Sequence, residues 1–299
     1  MTVELKDKSG PTLNLARCRG LCESVYRPRD AHATYVTPYD HADGHRRRFY
    51  CDAQGSDIQV VCQESIHHGI EIVVRGTISI WDVPTNVKCW QTKMPTCNRP
   101  DFGSVHYGFL TAALDVIKPI RSWLTSAPIP NNTPVVITGH SMGGAIATIL
   151  APMISDLTGN CVVVTFGSPR VGDGAFKEAF HATAGIHHIR VINDNDPIAY
   201  VPMIGYHHVG HALVMPQLEP QEEKEEDEDG GNKNNNATAN NNTTTTTWYM
   251  TQYAHYAQYV AQSWRHIRQI TVYLPTTMAH TLHEYKLRMK LLPPGQLGN

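Results

Sequence analysis

At 299 residues, 41% hydrophobic and with a formal net charge of −2, the chain suits one large domain or two small ones with ample core. So even a charge balance gives no electrostatic ground for nucleic-acid binding, and no apolar run is long enough to cross a bilayer. Residues 1–20 lack an apolar signal-like core, which predicts a cytoplasmic protein, peripheral on lipid surfaces, or a secreted one if the N-terminus is incomplete. The seven cysteines sit at no metal-like spacing. Cys89 and Cys97 are near enough in sequence to pair, but free thiols are expected.

In chain order, short β-branched runs at 58–63 (IQVVCQ) and 70–76 (IEIVVRG) predict the first strands. Ile80, Val83, Val87, Trp90 and Met94 then recur at helical spacing and predict an amphipathic helix. Phe109, Leu110, Ala113, Val116, Ile117, Ile120 and Leu124 predict another helix, with Pro119 a point of kinking. Further strands are expected at 134–139, 161–167 and 188–194, with a helix around Ala175, Phe176, Ala179 and Phe180 between the last two. Near-continuous apolar strands imply a sheet covered on both faces. Early strands are expected to pair antiparallel and later ones, joined by helices, in parallel. The fold class is therefore α/β.

Residues 221–247 are acidic, then Asn-rich, then a threonine run. Such a composition cannot bury a core and reads as a disordered surface insertion whose deletion should preserve activity. Asn236 begins a glycosylation sequon, relevant only to a secreted protein.

The chemistry concentrates at Gly139-His140-Ser141-Met142-Gly143, a G-x-S-x-G sequence with a strand before it and a small-residue helix pattern after it. That is the context of a nucleophile elbow. A tight turn there forces an unfavourable backbone on Ser141, so residues two away must lack bulk. The following helix N-terminus supplies positive potential, and the Met142 N–H is placed to meet an oxyanion. A serine nucleophile needs a base, and the base an orienting acid, in the order Ser, Asp or Glu, His. Asp194 and Asp196 both follow the 188–194 strand. Of the 17 histidines, those after Asp196 are His207, His208, His211, His255, His266, His280 and His283.

The segment VVITGHSMGGAIATILA resembles the nucleophile region of the class 3 (fungal-type) lipases, a branch of the α/β-hydrolases. VVRGT (73–77), VHYGF (105–109), VTFGSPRVGDGAF (164–176), RVINDNDPIAYVP (190–202), HHVGHAL and HTLHEY resemble that family's other landmarks, in its order. The resemblance runs from about 58 to 285 and implies a single α/β-hydrolase domain over 1–299, with a core of about 58–290 and a mostly parallel sheet. It implies Ser141 as nucleophile, Asp196 as acid, His280 as base, and the Thr77 N–H beside that of Met142 in the oxyanion hole. It gives His208 a structural role and places a lid after Thr77, although Asp82, Val83 and Asn86 depart from the family's usual lid sequence. The function implied is a serine carboxylester hydrolase acting on acylglycerols at a lipid surface, with no metal or organic cofactor. Phospholipase A1, lysophospholipase and feruloyl-type esterase use the same scaffold. From another class, a catalytically silent lipid-binding or scaffold protein has the same motifs.

Overall fold

The β-branched runs become the middle of an eight-stranded sheet. The computed structural model describes residues 2–3, 13–26, 36–40, 45–53, 58–76, 90–95, 101–130, 133–215 and 282–289. A small antiparallel pair, β1 (Thr2–Val3) and β2 (Leu13–Asn14), precedes helix α1 (Leu15–Ser24). The sheet strands that follow are β3 (Val36–Asp40), β4 (His45–Ala53), β5 (Ile58–Ser65) and β6 (Gly69–Val74). A two-stranded ribbon of β7 (Gln91–Lys93) and β8 (Ser104–His106) leads into α2 (Tyr107–Thr125). Then come β9 (Val135–His140), α3 (Met142–Thr158), β10 (Cys161–Phe166), α4 (Gly174–His181), β11 (Ile186–Asn193) and β12 (His211–Met215). Helix α5 (Leu282–Met289) is the last described element.

Strand order is β12-β11-β10-β9-β6-β5-β4-β3. From β3 to β6 every pairing is antiparallel, and from β6 through β9 to β12 every pairing is parallel. The division follows the connections. A short turn after Ser65 suffices to reverse the chain, whereas the parallel neighbours need the crossovers that carry α2, α3 and α4. The eight-stranded sheet includes β3 and β4, so two of its strands precede Ile58.

Alternation along each strand divides its side chains between two cores. Ile58, Val60, Cys62, Ile70, Ile72 and Val74 pack with the apolar faces of α2 and α3. On the other side, Val162, Val164, Phe166, Ile189 and Val191 pack with Leu15, Cys18 and Cys22 of α1 and with Tyr285 and Met289 of α5. Both faces are covered, as the uninterrupted apolar runs require. Helix α2 continues through Pro119, and its predicted stripe is buried at Leu110, Ala113, Val116, Ile117, Ile120 and Leu124. Cys18, Cys22, Cys51, Cys62 and Cys161 are buried free thiols, and burial raises each one.

One expected helix is corrected. The apolar spacing from Ile80 to Met94 does not hold to its end, because Gln91–Lys93 is strand β7. Thr92 pairs with Val105, and the Met94 N–H donates to the Gly103 carbonyl at 3.0 Å. The ribbon leaves Trp90 69% exposed and buries Met94 to 5%. Strand pairing with β8 sets the local period at Gln91–Lys93. Residues 77–89, which carry the rest of the lid expectation, lie outside the described residues, as do Cys97 and the 221–247 insertion with Asn236. Among the described residues no helix is long and apolar enough to cross a membrane.

Candidate active site

The corner between β9 and α3 is a single residue wide. Strand β9 ends at His140, α3 begins at Met142, and Ser141 lies between them with φ 57° and ψ −128°. It is the one non-glycine at positive φ among the described residues, a conformation costing roughly 1–3 kcal/mol. The surroundings enforce it. The Ser141 N–H donates to the Phe166 carbonyl of β10 at 2.9 Å, and the Ser141 carbonyl accepts from Gly144 and Ala145. Its flanking glycines are required by space. A Cβ on Gly139 would strike the Gly143 carbonyl, and one on Gly143 would lie 2.7 Å from the Gly76 nitrogen. The bulk argument made from sequence therefore has a concrete form in contacts of backbone on backbone.

Ser141 is 1% exposed and does not cap α3, although it occupies the N-cap position. Its Oγ makes no hydrogen bond to any described residue. Met142, the first residue of α3, points its N–H out of the helix end, where the helix dipole is positive. The corner thus combines a hydroxyl held out of ordinary capping with an electropositive pole beside it.

Of the two candidate acids, Asp194 is exposed and Asp196 is 0% exposed. Asp196 follows β11 after a tight turn in which its N–H donates to the Asn193 carbonyl at 2.9 Å. One carboxylate oxygen, Oδ1, accepts from the Ile198 N–H at 3.0 Å. The other, Oδ2, accepts from the Tyr285 hydroxyl at 2.8 Å. That hydroxyl itself accepts from the Asn193 N–H at 3.1 Å, which fixes its direction as a donor to the aspartate. Burial, then the neighbouring Asp196 charge, pushes the Tyr285 phenol well above its ordinary value, so it keeps the proton it donates. The Tyr285 ring meets Phe166 edge-on at 5.8 Å and His140 at 6.4 Å, so one side chain touches the acid and the elbow together.

Ser141 and Asp196 both lie at the C-terminal end of the parallel strands, where α/β sheets place their ligands. Thr77 and His280, the expected second oxyanion donor and base, lie outside the described residues, as do His255 and His266. Arg75 and Gly76 carry the chain to Thr77 from the end of β6, the strand paired directly with β9. His208 has the structural role expected of it: Nε2 donates to the Ala199 carbonyl, and burial, with the Arg190 charge next, lowers its pKa to about 4. His207 is tied by its backbone to Gly172, and His211 opens edge strand β12.

Sequence reasoning missed two side chains at the elbow. His140 was only the variable position of G-x-S-x-G, yet its ring is buried against Tyr26 and Tyr285. Tyr26, just past α1, shares a 3.3 Å hydrogen bond with His140 Nδ1 and carried no signal in the sequence.

A mixed sheet with a strained serine lifted from the end of a central parallel strand defines an α/β-hydrolase. Residues 71–206 match the family model for lipase (class 3), and over this segment the chain is similar to that family. A secreted mono- and diacylglycerol lipase of Fusarium solani is 34% identical over 50% of this chain and 44% of its own length. A phospholipase A1-II of Oryza sativa subsp. indica is 34% identical over 28% of this chain and 24% of its own. The chain thus spans less than half the length of these relatives. Among solved structures, the Rhizomucor miehei triacylglyceride lipase aligns with TM-score 0.50 at 27% identity, covering 56% of this chain and 64% of that one. A Yarrowia lipolytica lipase aligns with TM-score 0.54 at 20% identity over 72% of this chain and 82% of that one, a likeness of fold.

Proposed function

We propose that the protein is a lipase, a serine carboxylester hydrolase that cleaves fatty acyl esters of acylglycerols at a lipid surface. The observation that carries this reading is the strained Ser141 between two glycines that tolerate no Cβ, beside the N-terminus of α3. In the proposed mechanism Ser141 Oγ attacks the ester carbonyl while His280 takes its proton. Asp196, fixed by Ile198 and Tyr285, orients and stabilises the imidazole that becomes charged. The N–H groups of Met142 and Thr77 receive the oxyanion. His280 then returns the proton to the leaving alcohol, and water hydrolyses the acyl-enzyme by the same steps in reverse.

Phospholipase A1 activity is the second reading, favoured by the match to the rice enzymes of that name. The fungal relatives are named as secreted, which favours the secreted alternative over a cytoplasmic location.

Replacing Ser141 tests the reading. Ser141→Ala should lower ester hydrolysis by at least about 10³-fold and abolish fluorophosphonate labelling, with the circular dichroism spectrum unchanged. Hydrolysis of tri-, di- and monoacylglycerols beside phospholipids then separates lipase from phospholipase. A labelled, active Ser141→Ala variant would remove the serine from the mechanism.

A further inference from the structure

The β6–β9 register ends at the pair Val74 and Gly139. Beyond it each strand runs on into a segment of the proposed oxyanion hole, Arg75-Gly76 toward Thr77 and His140-Ser141 toward Met142. Tyr26 sits at this junction. Its hydroxyl bonds His140 Nδ1 at 3.3 Å, and the two rings meet edge-on with centroids 6.1 Å apart. The same hydroxyl lies against Gly76: a Cβ there would be 2.5 Å from it and 2.7 Å from the His140 carbonyl. The Arg75 guanidinium covers the Tyr26 ring at 5.5 Å. One side chain therefore touches the residue before the nucleophile and both residues that precede Thr77. The His140 ring then rests on Tyr285, which holds Asp196.

We propose that Tyr26 is a positioning residue for ester hydrolysis: through His140 and Gly76 its hydroxyl holds the two strand ends together, and so fixes the corner that presents Ser141 and the Met142 N–H. This rests on the serine-hydrolase reading above. Oxyanion donors act only when they stand 2.7–3.1 Å from the developing charge, and a 1 Å displacement costs on the order of 10²-fold in rate. The β6–β9 ladder has ended at these segments; the Ser141 N–H bond to Phe166 and the backbone packing of Gly143 on Gly76 hold them, and the Tyr26 side chain adds a tie across the two strand ends. Glycine at 76 is what lets the hydroxyl and the His140 carbonyl approach that closely.

The experiment uses the full chain, p-nitrophenyl butyrate as substrate and a trifluoromethyl ketone as the tetrahedral oxyanion mimic. Tyr26→Phe keeps the ring over which Arg75 lies and removes only the hydroxyl. It should keep KM and the melting temperature, lower kcat about tenfold, and weaken ketone inhibition by the same factor, the loss of roughly one hydrogen bond. His140→Phe keeps a ring against Tyr285 and removes the Tyr26 partner. It should show the same split, and Tyr26→Phe should cost nothing further in that background. A Tyr26→Phe enzyme with wild-type kcat and ketone affinity overturns the proposal, as does a kcat loss that adds in full to that of His140→Phe. If Tyr26→Phe does not fold, His140→Phe alone decides: an unchanged ketone affinity there overturns the proposal. A wild-type protein that neither hydrolyses the ester nor takes a fluorophosphonate overturns the serine-hydrolase reading and this inference together. An active wild type with an unaffected Tyr26→Phe overturns only the inference.

Discussion

At the residue scale, the elbow was legible because its chemistry constrains the backbone. Positive φ at Ser141 excludes bulk at Gly139 and Gly143, and that exclusion leaves a mark in the sequence itself. Asp196 was preferred to Asp194 on resemblance alone, and what distinguishes the two in the structure is tertiary: the Asp196 carboxylate is buried under a tyrosine 89 positions away, whereas Asp194 is exposed. Tyr26 was illegible because its partner His140 stands 114 positions on and both residue types are commonplace. The buried histidines carry a consequence in pH. Burial lowers His106 to about 4, and burial with Arg190 lowers His208 to about 4, from 6.5 in an exposed chain. The unfolded chain therefore takes up protons first as pH falls. Stability should be complete above about pH 6.5 and decline from there toward pH 4, by on the order of 3 kcal/mol per histidine. Melting temperatures at steps from pH 8 to 4 should show this decline, and His208→Gln should make it shallower.

At the element scale, α1 shows what sequence patterning holds when it is followed far enough. Leu15, Cys18 and Cys22 form its buried face, spaced three and four apart, a helical period that was present in the chain but too short to stand out. What patterning could not show is the polar contact beneath it. Glu71 interrupts the apolar run of β6 and is buried at the sheet centre. Arg17 of α1 grips it with two nitrogens, one at 2.7 Å, and Gln63 of β5 adds a third donor at 2.7 Å. The charge was readable in the sequence, but its partner 54 positions away was not. Arg17→Ala should cost about 3 kcal/mol by leaving the carboxylate buried and unpaired. Adding Glu71→Gln should recover most of that loss, which denaturant titration of the single and double variants would measure. Strand β7 makes the opposite point: spacing that satisfied a helix was overridden by pairing with β8.

At the scale of the whole molecule, the division into an antiparallel and a parallel half was legible because connection length dictates it. The position of the boundary was not, since strand order depends on which edge each crossover returns to. That boundary is the β6–β9 pair, with β10 on its far side, and it lies at the middle of the sheet, farthest from either fraying edge. Backbone amides of β6, β9 and β10 should therefore exchange with deuterium only through global unfolding, while those of edge strand β12 exchange through local opening. The elbow grows from the end of β9, and the proposed oxyanion segment grows from the end of β6. Loss of hydrolysis on heating should then coincide with the global melt. An active centre that fails several degrees before the calorimetric transition would show that it opens independently. Wear at the periphery of this molecule, whether from fraying edges or cleaved loops, would then leave the proposed turnover intact until the whole sheet comes apart.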